Sequence, residues 1–186
     1  MADKKTEILN SAISLFVKGG FDRVSTAEIS RNAGVATGTM FYHFKTKEDI
    51  IITAYKSIKK QIIEITANED SQNTSVQEEL KDLWSQIIHW GLENKEAVQY
   101  LLQFKNSPYY CTNLMAEDDT WKARLKWWEN GIEEKKFKQI PLDFLLKSFN
   151  DLLFGTMEYL LYNDKDTETY INISFDMCWD CICFRS

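Results

Sequence analysis

Ala33-Gly34-Val35-Ala36-Thr37-Gly38-Thr39-Met40-Phe41-Tyr42-His43-Phe44-Lys45-Thr46-Lys47-Glu48 is the stretch whose reading decides the fold. Just upstream, Ser25-Thr26-Ala27-Glu28 has the form of a capping box, with a hydroxyl for the N3 amide and a carboxylate that can reach back. The helix it starts has about two turns. It buries Ile29 and Ala33 and stops at Gly34, the residue best suited to a left-handed C′ position. Val35-Ala36 makes the turn, and Thr37 to Phe44 has room for two more turns with Met40 and Phe44 inward. Thr46 then caps a longer helix with Ile50, Ile51, Ala54, Ile58, Ile62 and Ile65 along one face.

Two short helices joined by a glycine turn, with a supporting helix upstream, make a helix-turn-helix layout. The supporting helix is read from Ile8, Leu9, Ala12, Ile13, Phe16 and Val17, whose spacing of three and four defines one face before Gly19-Gly20 ends it. Phe16, Phe21, Ile29 and Phe44 read as the core of this small module. A helix entering a major groove about 12 Å wide needs polar groups where it meets phosphates. Thr37, Thr39, Tyr42, His43 and Lys47 supply them, and Lys47 lies in a first helical turn whose free amides already favour an anion. Thr37 and Gly38 open the recognition helix, and Gly38 lets its backbone come close to a base edge.

Charge follows the same division. Residues 1–60 carry 10 Lys/Arg against 6 Asp/Glu, whereas residues 61–186 carry 12 against 22. A basic N-terminal third on an acidic body can offer phosphates one part only. With 44% hydrophobic and 27% charged residues the 186-residue chain has an ordinary globular composition, which excludes a disordered or collagen-like polymer. No apolar run reaches the roughly 20 residues that span a bilayer, and Met1 to Glu7 lacks a leader pattern, so a cytoplasmic protein without a membrane partner is expected.

Beyond the polar stretch 68–75, which reads as the boundary loop, helical periodicity resumes. Leu80, Leu83, Trp84, Ile87 and Ile88 mark one helix. Ala97, Val98, Leu101, Leu102 and Phe104 mark the next, and Trp121, Leu125, Trp128 and Ile132 a third. Residues 142–162 are apolar almost all round, and 168–184 nearly so; a helix without a wide polar face must be covered on more than one side. A homodimer through these two segments is therefore expected. The whole reads as all-α: a helix-turn-helix domain at 1–48, a linking helix at about 47–67, and a larger helical domain at 68–186.

The stretch from Thr6 to about Ile52 resembles the DNA-binding domain of the TetR/AcrR family of transcriptional regulators, with Ala-Gly-Val, Gly-Thr, Tyr-His-Phe and Lys-Glu in the family's order. The resemblance implies a homodimer whose N-terminal helices bind double-stranded operator DNA and whose divergent helical C-terminal domain binds a small effector and dimerises. It implies base contacts from Thr37 and Gly38 and backbone contacts from Thr26, Thr39, Tyr42, His43 and Lys47. Ala36 stands where many members carry Ser, and Phe41 where Tyr is usual.

The expected activity is that of a repressor released by an apolar or aromatic effector, with no enzymatic activity, cofactor or metal. Trp84, Tyr100, Phe104, Trp121 and Trp128 are candidates for the effector pocket, since such pockets are mainly apolar. The competing reading is a thiol enzyme or redox sensor built on Cys178, Cys181 and Cys183. At 3.6 residues per turn Cys183 lies about 140° from the first and 160° from the second, so on a helix the three thiols cannot converge. Packing of an apolar terminal helix explains them better.

Overall fold

The computed structural model describes residues 3–66, 75–111, 114–163 and 166–184. Within them are nine helices: α1 (Lys4–Arg23), α2 (Thr26–Asn32), α3 (Thr37–His43), α4 (Lys47–Ile65), α5 (Val76–Glu93), α6 (Lys95–Lys105), α7 (Asp119–Glu133), α8 (Leu142–Tyr162) and α9 (Thr167–Ile182). The all-α expectation holds. The boundary expected at 68–75 lies, Ser75 apart, outside the described residues.

The chain forms two compact units, Met1–Gln61 with Asn94–Met115, and Ile62–Glu93 with Ala116–Ser186. In the first, α1 buries Ile8, Leu9, Ala12 and Phe16, and Gly20 (φ 78°, ψ 162°) interrupts the helix so that Phe21 turns back into the core. α6 lies within the 68–186 stretch read as the larger body, yet it groups with α1. Its Tyr100 and Phe104 are fully buried, with the edges of Phe21 directed at both rings at 5.4 and 6.3 Å. The Tyr100 hydroxyl donates to the Ile51 carbonyl (2.7 Å), and Gln103 Nε2 donates to the Val17 carbonyl (3.0 Å).

In the second unit, Trp84 of α5 is fully buried, and its indole donates to Ser174 Oγ of α9 at 3.2 Å. Phe149 of α8 sits edge-on to Trp84 at 5.3 Å and meets Trp128 of α7 at 5.0 Å. α7 starts on Asp118, whose carboxylate accepts from the Trp121 amide at 2.9 Å. It ends in a Schellman turn: the amides of Lys136 and Lys135 reach the carbonyls of Gly131 and Ile132, with Lys135 left-handed (φ 59°). The ring of Phe137 closes over Gly131, where any side chain would collide with it. An isolated antiparallel bridge, Phe137 to Cys183, ties this turn to the end of α9.

α8 has a narrower buried face than its composition suggests. Leu145, Phe149, Leu153, Met157 and Leu160 face inward, while Phe144, Tyr159 and Tyr162 are exposed. Exposed on α9 and just beyond it are Tyr170, Ile173, Met177 and Phe184. No helix among the described residues is long and apolar enough to cross a membrane.

Candidate nucleic-acid interface

The turn between α2 and α3 is built as its residue types require. Ser25 caps α2 by accepting the Glu28 amide (3.1 Å). Gly34 adopts φ +63°, and the amides of Gly34 and Val35 close on the carbonyls of Arg31 and Ser30, so a residue with a β-carbon would be strained there. Buried polar groups fix α2 on α1: Ser11 Oγ donates to the Ile29 carbonyl (3.1 Å) and accepts from Asn32 Nδ2 (3.0 Å). α3 starts at Ala36 with no side-chain cap, which follows from the methyl group at that position. Thr46 and Asp49 then form a reciprocal capping box for α4, each backbone amide donating to the other's side chain (2.9 and 3.0 Å).

Met40 and Phe44 are the inward side of α3. With Met40 fixed inward, helical geometry turns 37, 38, 41 and 42 outward. Thr37, Gly38 and Tyr42 are exposed as expected, Tyr42 to 78%, and nothing lies within 4 Å of a β-carbon position on Gly38. Thr39 and His43 are half-buried on the flank, the imidazole edge-on to Tyr42 at 5.2 Å. Thr26 is half-buried at the first residue of α2. Lys47 is half-buried as well, and its Nζ donates to the Asp22 carbonyl (3.2 Å), so the ammonium also ties α4 to the end of α1.

Sequence reasoning passed over two members of this face. Phe41, standing where the family usually has Tyr, has a ring 41% exposed beside Thr37 and Tyr42. Lys45 is exposed two residues past the end of α3, and its Nζ donates to the Phe41 carbonyl (3.4 Å). A helical wheel anchored on Met40 finds Phe41; Lys45, past the end of the helix, follows no such period. The outer face of α3 thus combines hydroxyls, an aromatic ring, a lysine and one bare backbone position, a set suited to phosphate oxygens and base edges together.

The aromatic candidates for an effector pocket do not gather in one place. Tyr100 and Phe104 stack in the core of the first unit, whereas Trp84 and Trp128 are packed around Phe149 in the second, and Trp121 is half-buried on α7. The cysteines diverge as their spacing requires: Cys178 is buried, Cys181 exposed and Cys183 intermediate. Burial pushes the Cys178 thiol up to about 12, which leaves it protonated and unreactive at neutral pH. No group of metal ligands occurs among the described residues.

A helix-turn-helix module carried by an all-helical body defines the class, and comparison with known proteins narrows it. Residues 8–54 match the family described as bacterial regulatory proteins, tetR family. The chain is 31% identical over 77 residues to the "Fatty acid metabolism regulator protein" of Bacillus subtilis, covering 41% of this chain and 40% of that protein, so it spans less than half of that relative's length. Its fold is that of a putative tetR family transcription regulator from Shewanella sp. PV-4 (TM-score 0.90, 23% identity, 99% and 100% of the two chains). It is also that of the regulator FadR from Bacillus subtilis in complex with stearoyl-CoA (TM-score 0.71, 20% identity, 93% and 96%). The helix-turn-helix module at residues 8–54 is thus similar to that of the tetR family, and the fold of the chain is that of solved structures described as such regulators.

Proposed function

We propose that the protein is a homodimeric transcriptional regulator, a repressor, that binds palindromic operator DNA through α3 and leaves it when a small, largely apolar effector binds the helical body. It acts in the cytoplasm and not as an enzyme. The observation that carries the reading is the outer face of α3: Thr37, Gly38, Phe41 and Tyr42 project from a helix locked on its opposite side by Met40 and at its C-cap by Phe44, with Lys45 exposed just beyond its end. The functional division falls near residue 48, with α4 as the link.

The dimer reading is supported by the apolar side chains that α8 and α9 leave exposed, Phe144, Tyr159, Tyr162, Tyr170, Ile173, Met177 and Phe184. An obligate interface buries upward of about 2,000 Å² in total, and a two-fold dimer presents its recognition helices to two half-sites. Selection from a random duplex pool tests the whole reading: the bound pool should contain an inverted repeat. Within that repeat, Tyr42→Phe and Lys47→Ala should weaken all sequences alike and flatten the salt dependence, while Thr37 substitutions should change the preferred bases. Absence of any selected sequence would refute it.

For the effector, the FadR relative bound to stearoyl-CoA makes a fatty acyl thioester the first probe. Linkage requires that a ligand which lowers operator affinity be bound less tightly, by the same factor, in the presence of operator; couplings of about 1–3 kcal/mol correspond to roughly 5- to 150-fold. Quenching of tryptophan emission by stearoyl-CoA, with no change in operator affinity, would exclude it as the inducer.

A further inference from the structure

Three lysines flank the C-terminal end of the recognition helix, and they are held in different ways. α3 ends at His43 with Phe44 as its cap, and its last carbonyls carry the negative end of the helix dipole, which disfavours a phosphate. Lys45 Nζ donates to one of those carbonyls, that of Phe41, at 3.4 Å, and Lys47 Nζ donates to the Asp22 carbonyl at 3.2 Å. The third is Lys5, from the first turn of α1. Its Nζ lies over the Phe44 ring, 6.0 Å from the centroid.

The face of a phenyl ring attracts an ammonium group without taking up its N–H donors as an oxygen does. Lys5 is exposed and has no carboxylate or carbonyl partner among the described residues, so its donors are directed to solvent. Lys4 is the contrast: its Nζ pairs with Glu7 one turn on, at 2.8 Å. Phe44 is buried in the core of the module, which makes its ring a fixed seat for the Lys5 ammonium. The imidazole of His43 lies beside the same ring, with centroids 6.4 Å apart, so Lys5 stands by the flank of α3 that carries His43.

We propose that Lys5 belongs to the operator interface: seated on Phe44, its ammonium takes a DNA phosphate at the C-terminal end of α3. This rests on the dimeric, operator-binding reading above. The seven residues of α3 extend about 10 Å, close to the roughly 12 Å width of a major groove, so both ends of the helix come near phosphates. At the N-terminal end the dipole already favours an anion, and the Thr37 hydroxyl is enough. The C-terminal end has the opposite sign and needs a full positive charge beside it. Lys5 supplies one with no ion pair to break.

The test uses the full chain and the operator selected by the wild-type protein. Each phosphate contact contributes about 0.9 to the slope of log affinity against log salt, so Lys5→Gln, which removes two contacts from a dimer, should flatten that slope by about 1.8. It should also weaken every operator sequence by one common factor, leaving base preference as it was. Lys5→Arg keeps the charge and should keep the slope. Lys4→Gln makes the same change of charge one residue away, at an ammonium already paired with Glu7, and should leave the slope unchanged. A neutral methylphosphonate placed at each operator phosphate in turn locates the contact: one position per half-site should weaken the wild-type protein and make no difference to Lys5→Gln. A variant that is merely less stable binds less well at every salt concentration alike, so the slope reports the contact alone. An unchanged slope in Lys5→Gln, an equal fall in Lys4→Gln, or a methylphosphonate profile that Lys5→Gln shares with the wild type at every phosphate overturns the proposal. A wild-type protein that selects no operator overturns the operator-binding reading itself, a result distinct from these.

Discussion

The outer face of α3 and the outer faces of α8 and α9 are both exposed, yet they are made of opposite materials. On α3, two buried residues, Met40 and Phe44, hold out hydroxyls, a lysine, a glycine and one phenyl ring. On α8 and α9, a comparable inward row leaves Phe144, Tyr159, Tyr162, Tyr170, Ile173, Met177 and Phe184 outside, interspersed with exposed charges such as Lys147, Asp151, Glu158 and Asp176. The first surface loses nothing by facing water and gains when phosphates replace it. The second loses free energy in water and gains when another apolar surface covers it, at roughly 25 cal/mol per Å². Exposure alone therefore does not identify a partner; the chemistry of what is exposed does.

The largest effects should appear where the aromatic residues are packing rather than pocket. Trp84 fills the centre of the second unit and its indole N–H is satisfied by Ser174, so Trp84→Ala should cost about 3–5 kcal/mol of stability. Urea denaturation followed by circular dichroism would measure this. A variant that kept wild-type stability and lost only effector binding would show that Trp84 lines a site.

Next come two neighbours on the recognition helix. Met40→Ala empties a fully buried position and should destabilise by about 2–5 kcal/mol. Tyr42→Ala, two residues on, removes an exposed ring and should alter stability by no more than about 0.5 kcal/mol while weakening every operator. Comparable losses of stability in the two variants would break the distinction between the two sides of α3.

How much of this was legible beforehand differed between the same two regions. The helix-turn-helix could be read because its constraints are local: Gly34 for a positive φ, Ser25 and Thr46 for caps, Met40 and Phe44 at one helical spacing. The span of α8 is legible in the apolar run from 142 to 162. What could not be read was which body helix packs on which. Tyr100 and Phe104 look like Trp84 and Trp128 in sequence, and only tertiary packing places them in different cores. The two hydrogen bonds that Arg124 of α7 donates to the carbonyl and hydroxyl of Thr66 span 58 residues and leave no local pattern.

A smaller effect tests the turn after α7. Lys135 holds a left-handed φ of 59° at the C′ position, where a side chain adds strain that glycine avoids. Lys135→Gly should stabilise the second unit by about 0.4–1 kcal/mol, a rise of a few degrees in Tm, despite the greater freedom it gives the unfolded chain. A lower Tm would mean that this freedom outweighs the strain relieved.

The smallest effect is electrostatic and is confined to the second unit. His89 on α5 has Nδ1 at 2.8 Å from the Ser85 carbonyl and Nε2 at 2.8 Å from Glu168 Oε1 on α9. Both of these partners are acceptors; the Ser85 hydroxyl, 3.2 Å from Nδ1, can donate to a neutral ring, but only a protonated ring donates to the Ser85 carbonyl and to Glu168 together. The hydrogen bond His89 donates to Glu168 is the main cause that raises its pKa; partial burial opposes it, and the Ser85 carbonyl and the charges of Glu168 and Glu93 add to it. A raised folded-state pKa means that the stabilisation is fully present below the unfolded value of about 6.5 and is lost as pH rises through the folded value. The imidazole side chain is 44% exposed, so the effect should be small and should shrink with salt. Melting curves from pH 5.5 to 8.5 should show the wild-type protein losing its advantage over Glu168→Gln as pH climbs past about 6.5, with operator affinity unchanged by the substitution. A gap between the two proteins that stayed constant across that range would rule out a protonated clasp at His89.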